Sequence, residues 1–190
     1  MPLEPDSPED DDSCSYEDWH TDGNSHLEMM IDRASWPGAQ IDLASARLRL
    51  ATDIACETFG WPPLAVGGLL CDNARVAALN GQFRGKDSPT NVLSFPSGET
   101  ETDASGMLAA GDIAIAFETV RDEAIRDSKT LQDHLVHLWV HGLLHLMGHD
   151  HAEDEEAEAM EAGEIAVLAR LGIADPYEGL DLEDIPGGTQ

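Results

Sequence analysis

The chain reads as an α+β domain: a small mixed β-sheet of about four strands covered by helices. Three observations lead there. Short apolar runs bounded by turn residues are mixed with segments of helical periodicity in irregular order. A length of 190 residues and an apolar fraction of 42% suit one domain with a real core. The longest apolar runs, such as LAVGGLLC, fall far short of the roughly 18 residues a membrane helix needs, so no membrane association is expected.

The elements follow in order. HLEMMIDRASW (26–36) is the expected first strand, closed by Pro37 and Gly38. DLASARLRLATDIACETFGW (42–61) places apolar residues at Leu43, Ala46, Leu50, Ile54 and Ala55, with Gly60 just past the end, and reads as an amphipathic helix. LAVGGLLC (64–71) is a short buried strand, and NARVAALNGQFRG (73–85) a short helix that Gly81 interrupts or ends, followed by the loop GKDSPT. NVLSFP (91–96) and GDIAIAFE (111–118) are two more strands, joined by the polar loop SGETETDASGM. ETVRDEAIRDS (118–128) alternates charges in a helical pattern. TLQDHLVHLWVHGLLHLMG (130–148) is the strongest helix, its start marked by Thr130 and Asp133 at capping-box spacing. EDEEAEAMEAGEIAVLARLG (153–172) closes as an acidic helix ending at Gly172, and no internal repeat is visible.

The net charge of −28 argues against a nucleic-acid partner, because affinity for phosphates rests on Lys and Arg. Its distribution weakens that argument. Residues 1–22 hold nine acids and no base, residues 153–190 hold twelve acids against Arg170, and residues 23–152 carry only −8. The acidic, Pro- and Ser-rich segment 1–22 is expected to be disordered, 23–175 to form the folded domain, and 176–190 an acidic C-terminal tail. The start of the chain is acidic where a secretory signal would be basic and then apolar, so a cytoplasmic location is expected. Cys14, Cys56 and Cys71 are odd in number and widely spaced, which suggests reduced thiols and no cysteine zinc site.

Six of the eight histidines lie in HLVHLWVHGLLHLMGHDH (134–151). At about 100° per residue, His134, His137, His141 and His145 share one helical face. A single histidine there would be an ordinary half-buried polar residue, but four neighbouring imidazoles repel one another when protonated and are costly to bury unpaired. A cation that binds them neutral resolves both problems. His141 and His145 form an i, i+4 pair with Cβ atoms about 6 Å apart, and Gly148 can turn the chain so that His151 returns to the same ion. Three histidines with a fourth position open is the arrangement of catalytic zinc. The same offsets occur in metzincin proteases, whose general-base glutamate is here Gly142; loss of such a base costs about 10² to 10⁴ in rate. The pattern therefore points to a zinc hydrolase that is not a conventional protease.

VHGLLHLMGHDH closely resembles the signature of the YbeY family of bacterial endoribonucleases, or rRNA maturation factors, written H-G-x-L-H-L-x-G-Y-D-H. LNGQFRGKDSPTNVLSFP (79–96) is similar to that family's Leu-Asn-x-x-[Tyr/Phe]-Arg segment and the T-D-V-L-S-F-P strand after it, and GDIAIAFE to its G-D-I strand. The resemblance runs from about residue 26 to 172, includes Met160 and LARLG, and leaves out the acidic N-terminal segment. It implies one Zn²⁺ per chain held by His141, His145 and His151, with Arg84 as a catalytic arginine facing the metal across a cleft. A planar, permanently charged guanidinium suits the charge that builds on phosphate oxygens. The implied activity is a single-strand-specific metallo-endoribonuclease of late small-subunit ribosomal RNA maturation, at the 3′ end, and of ribosome quality control. Its implied partners are ribosomal RNA and the small ribosomal subunit or its proteins. Two positions depart from the pattern: Asn91 stands where aspartate is usual, and His149 where tyrosine is usual. His149 is expected beside the ligands or at the surface, with Asp150 able to orient an imidazole. The rival readings are a zinc metalloprotease or other zinc hydrolase, and a non-catalytic assembly factor with structural zinc.

Overall fold

The computed structural model describes residues 14–151 and 153–178. Five strands, β1 (Cys14–His20), β2 (His26–Asp32), β3 (Leu64–Cys71), β4 (Val92–Pro96) and β5 (Leu108–Ala116), form one sheet in the order β1-β2-β3-β5-β4. The three central strands run parallel, and the two edge strands pair antiparallel to their neighbours. The helices are α1 (Gly38–Phe59), α2 (Asn73–Arg84), α3 (Phe117–Arg126), α4 (Leu131–Leu146) and α5 (Asp154–Arg170).

Alternation along the strands decides which face each helix covers. Leu27, Met29 and Ile31 of β2, Leu64, Val66 and Leu70 of β3, and Ile113 and Ile115 of β5 point into the main core with α1, α4 and α5. Cys71, Leu93, Ala114 and Ala116 point the other way, against Val76 and Leu79 of α2. The main core holds α4 in place: Trp139 is fully buried, and its indole N–H donates to the Thr52 hydroxyl of α1 at 3.0 Å. Among the described residues no helix is long and apolar enough to cross a membrane.

The structure corrects several expectations. Residues 14–20, expected within a disordered segment, form edge strand β1, paired with β2 along its whole length. Composition missed this because one aromatic anchors the strand. Trp19 is buried in the core, its N–H donating to Glu17 at 2.8 Å, and Arg33 ties β1 down through Glu17 and the Ser15 hydroxyl. Residues 1–13 lie outside the described residues. The expected strand 26–36 ends at Asp32, whose carboxylate accepts from Ala34 N–H and the Ser35 hydroxyl and turns the chain. In α1 the buried stripe is Ile41, Ala44, Leu48, Ala51 and Ala55, while Leu43 and Leu50 are 58% and 51% exposed. Two apolar stripes compete on that helix, and contact with the sheet selects the other one. Helix α2 passes through Gly81 and ends at Gly85. Residues 176–178, expected to begin a tail, pack back on the domain: Lys129 Nζ donates to the Pro176 carbonyl, and the Tyr177 hydroxyl donates to Glu164. Residues 179–190 lie outside the described residues.

Candidate metal centre

Helix α4 starts as the sequence predicts, with the Thr130 hydroxyl accepting from Asp133 N–H at 3.0 Å. Its apolar majority faces the core, which turns the histidine stripe toward α3 and α5. Beyond α4, Gly148 adopts φ +85, a left-handed conformation that a residue with a Cβ reaches only at a cost. That turn carries His151 back over the end of the helix. His141 Nε2 and His145 Nε2 lie 3.0 Å apart, and the ring of His151 sits 5.6 Å and 5.0 Å from theirs, centroid to centroid. One nitrogen from each of the three rings falls within 4.8 Å of the others.

The tautomers follow from the partners. His141 Nδ1 lies 2.7 Å from Glu164 Oε1, and His145 Nδ1 lies 3.0 Å from the His149 carbonyl. Both partners are acceptors, so each Nδ1 carries the proton and each Nε2 presents a lone pair. Two lone pairs facing each other at 3.0 Å repel unless a cation lies between them. Two nitrogens bound at about 2.05 Å to a tetrahedral ion would stand about 3.3 Å apart, close to the observed spacing. Burial, with the neighbouring His141 and His151, pulls His145 down to about 4, so its ring stays neutral at physiological pH. The donor set therefore fits a borderline divalent ion such as zinc.

The sequence profile of the Endoribonuclease YbeY family matches residues 42–172. The chain belongs to the YbeY family. Among its curated YbeY relatives, the Endoribonuclease YbeY of Rhodopseudomonas palustris is 48% identical over 158 residues, covering 81% of this chain and 82% of the relative. That of Jannaschia sp. is 45% identical over 161 residues, covering 80% and 99%. That of Laribacter hongkongensis is 53% identical over 115 residues, covering 60% and 69%. A solution structure of TM1509 from Thermotoga maritima is 26% identical with a TM-score of 0.46, covering 82% of this chain and 95% of that one.

The four-histidine row of this YbeY chain splits into three environments. His141 and His145 join His151. His134 turns to Glu123, with 2.8 Å between Nε2 and Oε2, and His137 turns to Glu164 at 2.7 Å. Arg84 is exposed in the last turn of α2, on the sheet face opposite α4, and among the described residues no hydrogen bond or ring contact joins it to the three histidines. Asn91 precedes β4 and donates from Nδ2 to the Glu123 carboxylate at 3.1 and 3.3 Å. The ring of His149 leans on Phe59 and Trp61, while its carbonyl orients His145. Asp150 accepts from the backbone N–H of His151, and among the described residues no hydrogen bond or ion pair joins its carboxylate to an imidazole, although its charge acts on His145. Gly142 points away from the cluster into the core, where an added Cβ would meet Ile113.

Sequence reasoning missed Glu164 and Tyr177. Glu164 was hidden among the acids of α5, yet it falls on the stripe of Met160, Val167 and Leu168, and a carboxylate on a buried stripe is a readable signal. Burial pushes its pKa up, but hydrogen bonds from His137 and His141 outweigh that and hold it at about 2.

Proposed function

We propose that this chain is a zinc-dependent, single-strand-specific endoribonuclease acting in late maturation of small-subunit ribosomal RNA, at the 3′ end, and in ribosome quality control. One observation carries the chemistry: two imidazoles held as Nε2 acceptors 3.0 Å apart, with a third closing on them from the turn beyond the helix. Membership of a family whose relatives are named endoribonucleases supplies the substrate class. A zinc ion bound there would lower the pKa of a water toward roughly 7 and polarise a phosphodiester oxygen. Glu164 and the His149 carbonyl set the tautomers of His141 and His145. Arg84, exposed in the last turn of α2 and without a contact to the three histidines among the described residues, is the proposed contact to non-bridging oxygens along the RNA strand. Residues 23–152 carry only −8 and helix α5 adds further acids, so docking on the small ribosomal subunit or its proteins, in the cytoplasm, is the proposed source of affinity beyond the RNA itself.

Elemental analysis combined with mapping of RNA ends tests this on wild type, His141→Ala and Arg84→Ala. The first variant is expected to lose zinc and cleavage together, and the second to keep zinc and lose cleavage. Stoichiometric zinc in His141→Ala would reject the ligand set, and wild-type cleavage by Arg84→Ala would reject its role. Casein hydrolysis by wild type would favour a protease. Unfolding on chelation would favour a structural metal in an assembly factor, where the proposal expects a folded, inactive protein.

A further inference from the structure

Glu164 is built differently from the other acids of α5. Its side chain is 1% exposed and takes three donors, one on Oε1 and two on Oε2. Oε1 receives His141 Nδ1–H at 2.7 Å, while Oε2 receives His137 Nε2 at 2.7 Å and the Tyr177 hydroxyl at 2.5 Å. Mere packing at this position, on a stripe with Met160, Val167 and Leu168, would call for an apolar side chain. A buried carboxylate persists only when its lone pairs are satisfied, and here the satisfying partners converge on one metal ligand.

Tyr177 is itself held from two sides. Its ring meets His137 edge-on at 5.8 Å, its backbone N–H donates to Asp175 Oδ1 at 2.8 Å, and the preceding Pro176 carbonyl accepts from Lys129 Nζ at 3.2 Å. Burial raises the phenol's pKa, so its hydroxyl remains a donor at any physiological pH. The segment after α5 thereby clasps the loop that precedes α4 and delivers a hydroxyl to the carboxylate behind the histidine cluster.

We propose that Glu164 is the positioning residue of the metal centre, holding His141 in the tautomer that leaves Nε2 free, and that Tyr177 and His137 aim it by occupying its second oxygen. This rests on the metal-binding reading above. A glutamine at 164 cannot reproduce the arrangement. With its amide toward His141, the ring must place its proton on Nε2, against the metal; with its amide toward the other side, His137 and Tyr177 lose their acceptor.

The test measures apparent dissociation constants for Zn²⁺ and Co²⁺ by chelator competition at neutral pH, on the full chain, for wild type, Glu164→Gln, Tyr177→Phe and Val167→Ala. Val167 is fully buried on the same helix and offers no polar group, so its truncation perturbs packing alone. Glu164→Gln is expected to weaken metal binding by about 10- to 100-fold and to alter the visible absorption of bound Co²⁺. Tyr177→Phe should weaken binding less, with an unchanged melting curve in chelator, and it decides the matter if Glu164→Gln does not fold. Val167→Ala should melt earlier and bind metal as wild type does. Wild-type affinity in both Glu164→Gln and Tyr177→Phe, or an equal loss in Val167→Ala, overturns the proposal. A wild type that binds neither metal overturns the metal reading and this inference with it, whereas a metal-binding wild type that leaves RNA intact overturns only the nuclease reading.

Discussion

Gly142 occupies the position at which a metzincin carries its general-base glutamate, and its surroundings predict what happens when the side chain is restored. An ideal Cβ at 142 would lie 2.9 Å from Ile113 Cδ1, 3.1 Å from Cγ2 and 3.2 Å from Cγ1. Ile113 is 1% exposed on β5, so it has little room to give way. In Gly142→Ala the overpacking costs about 1–3 kcal/mol. The better helix propensity of alanine returns about 1 kcal/mol. The net expectation is a loss of roughly 0–2 kcal/mol, read as a lower urea midpoint with unchanged slope. Ile113→Val removes Cδ1, the atom of closest contact, and alone costs about 0.5–1.5 kcal/mol. Combined with Gly142→Ala it should cost less than the sum, because the two changes share one contact. Gly142→Glu instead places a carboxylate between Ile113 and the apolar residues of α4, at several kcal/mol out of a total stability of about 5–15. It should unfold the domain and yield no protease. A Gly142→Ala variant more stable than wild type, or strict additivity in the double mutant, would refute the reasoning, and a folded Gly142→Glu with peptidase activity would refute it outright.

In the metal-free protein, His145 titrates at about 4 when folded and near 6.5 otherwise, so the unfolded chain binds the extra proton between those values. Stability is then complete above 6.5 and falls as pH drops toward 4; a urea midpoint in EDTA that stays flat or rises on acidification across that window contradicts this. Glu164 adds a loss in the same direction at lower pH, between 4.5 and about 2. Asn91→Asp sets a carboxylate against Glu123, where the amide now donates, and should destabilise by about 1–2 kcal/mol at neutral pH and less in acid. Equal urea midpoints for variant and wild type at neutral pH would count against that account. Deleting residues 1–13 removes six acids without touching β1, and should strengthen RNA binding at low salt while leaving the melting temperature unchanged. Deleting residues 1–22 strips the edge strand and should lower the melting temperature; a salt titration beside a melting curve separates charge from fold.

The three-histidine group was legible because its relation is local. His141 and His145 are one helical turn apart, and Gly148 places His151 three residues beyond the bend, so helix geometry and one left-handed turn bring the rings together with no help from distant sequence. The helix periods, the three central strands and the Thr130 cap were legible for the same reason: each depends on neighbours within a few residues. Tertiary structure alone decided which stripe of α1 is buried, that Trp19 anchors an acidic segment as β1, and that Gly142 faces Ile113. It also decided that Glu164 and Tyr177, 23 and 13 residues from their partners His141 and Glu164, stand behind the histidine cluster. Periodicity gives each segment its apolar face and its spacing; only packing one segment on another chooses among competing faces and places a buried acceptor opposite its donors.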